Sequence, residues 1–196
     1  ATAPVNYVDA QQQQLKENIA ANKKAAEQTQ KNANGSDTES TGDNSSKATE
    51  AEQSVMEKYG LTEAQVKKAE ELEITAFGDS VMLDATADLQ EIFPKAVVDG
   101  DVGRQLYESP ELIKALKEKD LLRDTVLIGL GTNGSFTETQ FDNLMKEIGD
   151  RKVYWINVRV PTQRWQNEVN SMLEKMAAKY DNMTLIDWYD LSNEHE

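Results

Sequence analysis

The feature that most constrains this chain is a rhythm that begins at Ile74. Short apolar runs at Ile74–Gly78, Ala96–Val102, Thr125–Leu130, Lys152–Val160 and Met183–Trp188 alternate with segments whose apolar residues recur at helical spacing. Runs this short, rich in β-branched and aromatic residues, read as strands buried on both faces. The intervening segments read as helices. Val81–Phe93 places Ala85, Leu89, Ile92 and Phe93 on one side, and Pro110–Lys119 has Ser109 as cap and Pro110 at the first helical position. Glu138–Ile148 aligns Phe141, Leu144, Met145 and Ile148 behind a Thr137–Gln140 capping-box spacing. Gln163–Tyr180 aligns Trp165, Val169, Met172, Leu173 and Met176. Strands alternating with helices build a parallel sheet, and the right-handed crossover rule covers both its faces. The predicted class is therefore α/β, a doubly wound three-layer α/β/α sandwich on a five-stranded parallel sheet.

The N-terminal quarter does not share this rhythm. Residues 1–53 are rich in Gln, Asn, Ala, Ser, Thr, Lys and Glu, with Tyr7 as their lone aromatic. Such a stretch cannot bury enough apolar surface to offset its conformational entropy, so it reads as a low-complexity linker, with Ala10–Gln30 at most a weakly helical rod. Residues 54–73 read as a helical lead-in. Val55, Met56 and Tyr59 come first, Gly60 interrupts, and Thr62 with Gln65 opens a second helix through Val66, Ala69 and Leu72. Residues 74–196 form the α/β domain.

Charge and composition remove several functions. The 196 residues carry a net charge of −14 with no basic run, which argues against nucleic acid as a partner. No cysteine is present, so thiolate nucleophiles, disulfides and zinc–thiolate sites are excluded. Carboxylates are plentiful but show no ligand-like spacing, and no metal or cofactor is expected. The sequence contains no apolar run long enough for a membrane span or a signal peptide.

In an open parallel sheet, sites form beyond the carboxyl ends of the strands. The residues found there are Gly78-Asp79-Ser80, Asp99-Gly100-Asp101-Val102-Gly103-Arg104-Gln105, Gly129-Leu130-Gly131-Thr132-Asn133-Gly134, Asn157–Pro161 and Asp187-Trp188-Tyr189. Ser80 stands where a strand turns into a helix, an address that suits a nucleophile and equally suits a plain N-cap. Asn133, between two glycines, reads as a side-chain donor or as a loop residue in left-handed geometry. Gly103 offers a backbone N–H or simply permits a turn. Asp79 reads as structural, bonding nearby N–H groups. Asp84 reads as a solvated acid in the first turn of the helix. Arg104 and Arg159 either line an acceptor pocket or pair with local carboxylates. Trp165 reads as core, whereas Trp188 and Tyr189 could wall a pocket.

Gly-Asp-Ser after the first strand, a glycine after the second and Gly-Thr-Asn after the third resemble the SGNH (GDSL-type) hydrolase superfamily, a flavodoxin-like fold. Its serine matches Ser80, its glycine Gly103 and its asparagine Asn133. The chain is more similar still to the extracytoplasmic domain of Gram-positive peptidoglycan O-acetyltransferases, through Val102–Gln105, Gly131–Gly134 and Asn157–Pro161. The resemblance runs from about Leu72 to the end. It implies Ser80 as nucleophile, with Ser80, Gly103 and Asn133 as oxyanion donors, and Arg104, Arg159 and Trp188 as candidates for an acceptor pocket. It also implies a peptidoglycan glycan strand as acceptor, at the C6 hydroxyl of N-acetylmuramic acid. The acetyl donor would come from an upstream membrane acyltransferase region, and the domain would lie on the extracytoplasmic face of the membrane.

A serine needs a base to attack an acyl carbon. The family takes it from an Asp-x-x-His motif after the last strand, whereas here Ser192 stands three residues before His195, the one histidine. By resemblance the base and its orienting acid are expected beyond Glu196, so this chain alone is expected to be nearly inert and an extended one active. An SGNH-type carbohydrate or lipid esterase and a non-catalytic glycan-binding domain are the alternative readings.

Overall fold

The computed structural model describes residues 48–193. Two helices precede the sheet, α1 (Glu50–Tyr59) and α2 (Glu63–Glu71). There follow β1 (Ile74–Gly78), α3 (Ser80–Asp84), α4 (Thr86–Ile92), β2 (Val97–Gly100), a 3₁₀ turn (Leu106–Glu108) and α5 (Ser109–Glu118). The chain then runs through β3 (Thr125–Gly129), α6 (Glu138–Ile148), β4 (Lys152–Ile156), α7 (Gln166–Lys179), β5 (Met183–Ile186) and α8 (Trp188–Asn193).

All five strands pair in parallel in the order β2-β1-β3-β4-β5. The strand order reverses around β1, which places β1 between β2 and β3. Register brings Gly78 level with Gly100 on one side and Gly129 on the other.

Alternation along the strands separates two cores. Phe77, Val126, Ile128, Val153 and Trp155 point to the face covered by α5, α6 and α7, through Ile113, Leu116, Phe141, Leu144, Leu173 and Met176. Burying a side chain of this size stabilises by about 1.5–3 kcal/mol. Trp155 stacks on Phe141 with centroids 4.7 Å apart, and its indole N–H donates to the Leu130 carbonyl at 3.2 Å. Ile74, Ala76 and Val98 form the second core with Met82, Leu89 and Phe93. Among the described residues no helix is long and apolar enough to cross a membrane.

Several boundaries differ from the sequence reading, each for a local reason. Helix α1 begins at Glu50, inside the stretch assigned to the linker, because Thr49 and Glu52 form a capping box. Lys58 and Tyr59 then fasten it to Asp88 and Glu91 of α4. The rest of the proposed linker lies outside the described residues.

The expected Val81–Phe93 helix is two helices. The Thr86 hydroxyl donates to the Met82 carbonyl at 3.3 Å, a back-bond of the kind that bends helices. Asp84 consequently ends a short helix instead of opening a long one. Ser109 does not cap α5. Its hydroxyl donates to the Gln105 carbonyl at 2.9 Å, inside the preceding turn.

Strand β4 stops at Ile156 because side chains of α7 take over the backbone beyond it. Asn170 accepts from the Val158 N–H and donates to the Val158 carbonyl, both at 2.9 Å. Strand β5 stops at Ile186 because Asp187 accepts from the Asp190 N–H at 3.1 Å and turns the chain into α8. Trp188 therefore opens a helix where a strand end was expected.

Candidate active site

The turn after β1 is held from four directions. Gly78 is fixed by packing, since a Cβ there would stand 2.6 Å from the Gly129 carbonyl oxygen and 2.6 Å from Met82 Cβ. Asp79 donates its backbone N–H to the Gly129 carbonyl at 3.0 Å. The Asp79 carboxylate accepts from the Val81 N–H at 3.1 Å and from the Thr132 hydroxyl at 2.6 Å. Asp79 is thus the N-cap of α3, and Ser80 is the first helical residue, half-buried. The plain capping role that competed for Ser80 belongs to its neighbour. Asp79 is fully buried, and burial pushes its carboxyl upward from the ordinary range, with the Thr132 and Val81 hydrogen bonds opposing.

The loop after β2 is pinned to this turn by Arg104. Its guanidinium donates to the Gly78 carbonyl at 3.0 Å, to the Asp99 carbonyl at 2.8 Å and to the Asp99 carboxylate at 2.8 Å. It lies 4.3 Å over the Phe77 ring, and the residue is 3 % exposed. Arg104 therefore does not line an acceptor pocket. It is a buried strut joining the ends of β1 and β2, paired with a local carboxylate, which is the second of the two readings its sequence left open. Gly103, just before it, has φ +76°, a conformation glycine adopts readily, and nothing stands within 4 Å of where a Cβ would be.

The loop after β3 joins the same network. The Asn133 side-chain amide donates to the Arg104 carbonyl at 3.3 Å, and the Gln105 side-chain amide donates to the Asn133 carbonyl at 3.0 Å. Asp120 is the one non-glycine residue with positive φ among the described residues, so Asn133 is not there for left-handed geometry. The Thr132 carbonyl accepts from the Trp165 indole N–H at 3.2 Å, which gives Trp165 a polar tie as well as its place against the core. The loops bearing Ser80, Gly103 and Asn133 are thus bonded to one another across adjacent strand ends.

Arg159 and Trp188 share a cavity with Asp79 and Thr132 of this network. The cavity is mainly apolar, of about 300 Å³, and is also lined by Val81, Met82, Leu89, Leu127, Ile156 and Ile186. Asp79 and Thr132 reach its wall, whereas Ser80 does not line it. Arg159 donates to the Ser192 hydroxyl at 3.1 Å. Asn157 joins β4 to the final turn, donating to Asp187 at 2.8 Å and accepting from the Tyr189 N–H at 2.7 Å. The Asn157 amide holds the Asp187 carboxyl below its ordinary value. No histidine stands among the described residues, and His195 lies outside them.

No family model matches the chain. The protein YrhL of Bacillus subtilis, provisionally named a peptidoglycan O-acetyltransferase, is 39% identical over 123 residues, covering 63% of this chain and 19% of YrhL. Peptidoglycan O-acetyltransferase OatA of Listeria monocytogenes is 39% identical over 118 residues, covering 60% of this chain and 19% of OatA. Both relatives carry the name peptidoglycan O-acetyltransferase, that of YrhL provisionally. The chain spans about a fifth of the length of these relatives. Among solved structures, the C-terminal catalytic domain of Streptococcus pneumoniae peptidoglycan O-acetyltransferase A matches with a TM-score of 0.56 and 22% identity, covering 63% of this chain and 73% of that one. That match is a likeness of fold.

Three members of the network escaped the sequence reading. Thr132 was visible inside Gly-Thr-Asn-Gly, but its bond to Asp79 spans 53 positions. Gln105 was visible inside Val-Gly-Arg-Gln without a partner to suggest its use. Asp99 looked like a loop acid, although it ends up buried in β2 beneath Arg104.

Proposed function

We propose that this chain is an acyl-transfer domain of a peptidoglycan O-acetyltransferase, working through a serine acyl-enzyme. The Ser80 hydroxyl attacks the acetyl carbonyl, its proton passes to a base, and the donor alcohol leaves. The oxyanion of each tetrahedral intermediate accepts from the Ser80 N–H, the Gly103 N–H and the Asn133 amide. An acceptor hydroxyl, the C6 hydroxyl of N-acetylmuramic acid in a glycan strand, then takes the acetyl group from Ser80. The observation that carries this reading is the hydrogen-bonded convergence of the three loops in a chain whose relatives carry the name peptidoglycan O-acetyltransferase.

Further support comes from the exposed apolar side chains. Val81, Val102, Tyr107, Trp188 and Leu191 are the large exposed hydrophobics of the described residues, and each follows the carboxyl end of β1, β2 or β5. A sugar ring presents apolar C–H faces as well as hydroxyls, and a rim of this kind suits it. In this reading the domain works on the extracytoplasmic face of the membrane, and a membrane acyltransferase region supplies the acetyl group. A histidine base would come from outside residues 48–193. The chemistry calls for no cofactor.

The test is incubation of the full-length protein with an acetyl ester and muramoyl oligosaccharides. Acetylated oligosaccharide and a Ser80-bound acetyl group by mass spectrometry, both abolished by Ser80→Ala, are expected. Free acetate alone would assign an esterase. Acyl transfer unaffected by Ser80→Ala would refute the nucleophile, and oligosaccharide binding without turnover would assign a glycan-binding domain.

A further inference from the structure

Asn133 carries a primary amide with two N–H donors, and only one of them has a partner in the network. The Arg104 carbonyl takes that hydrogen at 3.3 Å. Because the amide is planar, holding one N–H fixes the direction of the other. The residue that supplies this anchor is itself tied down, through its backbone N–H to the Asp101 carbonyl at 3.4 Å and through its guanidinium to Asp99 and the Gly78 carbonyl.

The backbone from which Asn133 projects is held separately, by the Gln105 side chain at 3.0 Å. The next residue, Gly134, lies against the same side chain, since a Cβ there would be in ordinary van der Waals contact with Gln105 Oε1 at 3.4 Å. Two reciprocal hydrogen bonds therefore join residues 104–105 to Asn133. One orients its side chain and one orients its main chain.

We infer that Gln105 is a positioning residue that aims the second Asn133 N–H at the developing oxyanion. The inference rests on the proposed role of Asn133 as an oxyanion donor. A donor aimed in advance costs no reorganisation during the reaction, which is where such groups gain their effect. The Gln105 side chain itself touches no reacting atom in this scheme. Its removal would leave Asn133 present but poorly aimed.

The experiment compares Gln105→Leu and Gln105→Glu with wild type in two measurements. Glu keeps the size of the side chain but replaces the amide donor with a charged acceptor facing the Asn133 carbonyl. It guards against a Leu variant that fails to fold. The first measurement is the pair of Asn133 side-chain amide protons in ¹⁵N-labelled protein. One bonded and one unbonded proton give well-separated shifts and different temperature coefficients in wild type, and in both variants these are expected to converge. The second is ester turnover by the full-length protein. There kcat is expected to fall about 10- to 100-fold, with KM within about twofold, because misaiming a donor costs less than the 10²–10³ of deleting it.

Unchanged Asn133 amide signals in both variants would overturn the positioning role outright. Altered signals with unchanged kcat would overturn its link to catalysis. If Ser80→Ala and Asn133→Ala also leave turnover intact, the functional reading has failed instead, and the amide measurement still reports on the clasp.

Discussion

Replacing Arg104 by methionine gives the sharpest test of how the site is built. The substitution keeps an unbranched side chain that can lie on Phe77, but it removes three hydrogen bonds and a cation. What remains is the Asp99 carboxylate, 2 % exposed and without its partner. Breaking one side of a buried ion pair typically costs about 3–5 kcal/mol, chiefly because the other charge stays buried. In a domain of this size each kcal/mol lowers Tm by about 2–4 °C, so Arg104→Met is expected to melt about 10–15 °C below wild type. Adding Asp99→Asn removes the stranded charge, and the double variant is expected to recover at least half of that loss. Thermal melts followed by circular dichroism, with urea denaturation at 25 °C, make the comparison directly. A single-variant drop under about 3 °C, or a double variant melting below the single, would refute the argument that this pair pins β1 to β2.

Three further outcomes follow from the loops around Ser80. Burial raises the Asp79 carboxyl above its ordinary value, so the folded chain binds that proton more readily than the unfolded chain. The stability Asp79 contributes therefore falls as pH rises from about 4 through the raised value. Asp79→Asn should accordingly gain Tm relative to wild type between pH 4 and pH 7, and a pH-independent difference would refute this. Gly78→Ala places a methyl 2.6 Å from both the Gly129 carbonyl oxygen and Met82 Cβ, and overpacking of this kind typically costs about 1–3 kcal/mol by urea denaturation. A wild-type midpoint there would show that α3 lifts from the sheet freely. Asn133→Ala should lower kcat for ester turnover by about 10²–10³ while leaving the melting temperature within a few degrees, and equal kcat would remove Asn133 from the reaction.

The sheet was legible because β1 and β2 are buried along their whole length, and the other three strands stay rich in apolar residues although one face is only partly covered. Ile74–Gly78 was read to the residue, and β3 to within one. The remaining ends overshot wherever apolar residues continue but the backbone bonds elsewhere. Val158 and Val160 look like strand, yet their N–H groups go to Asn170 and Gln166 of α7. The candidate site was legible as three motifs, since each sits immediately after a strand. What joins the motifs was not. Hydrophobic periodicity says nothing about Arg104, whose fate depends on an acid five residues earlier turning inward with it. Nor does it pair Gln105 with Asn133, 28 positions away.

The contacts that shape the Ser80 turn also impose an order on how it can form. Asp79 reaches its fixed position through the Gly129 carbonyl and the Thr132 hydroxyl, and both arrive only with β3. Until then β1 can pair with β2 alone, and the serine has no settled geometry. During synthesis the turn must wait for some fifty more residues to emerge, as Thr132 lies 53 positions beyond Asp79. In refolding, the helical signal should return before Ser80 can be labelled by an acylating reagent. In the role proposed for Ser80, its labelling would thus report the docking of β3 beside β1 at the centre of the sheet.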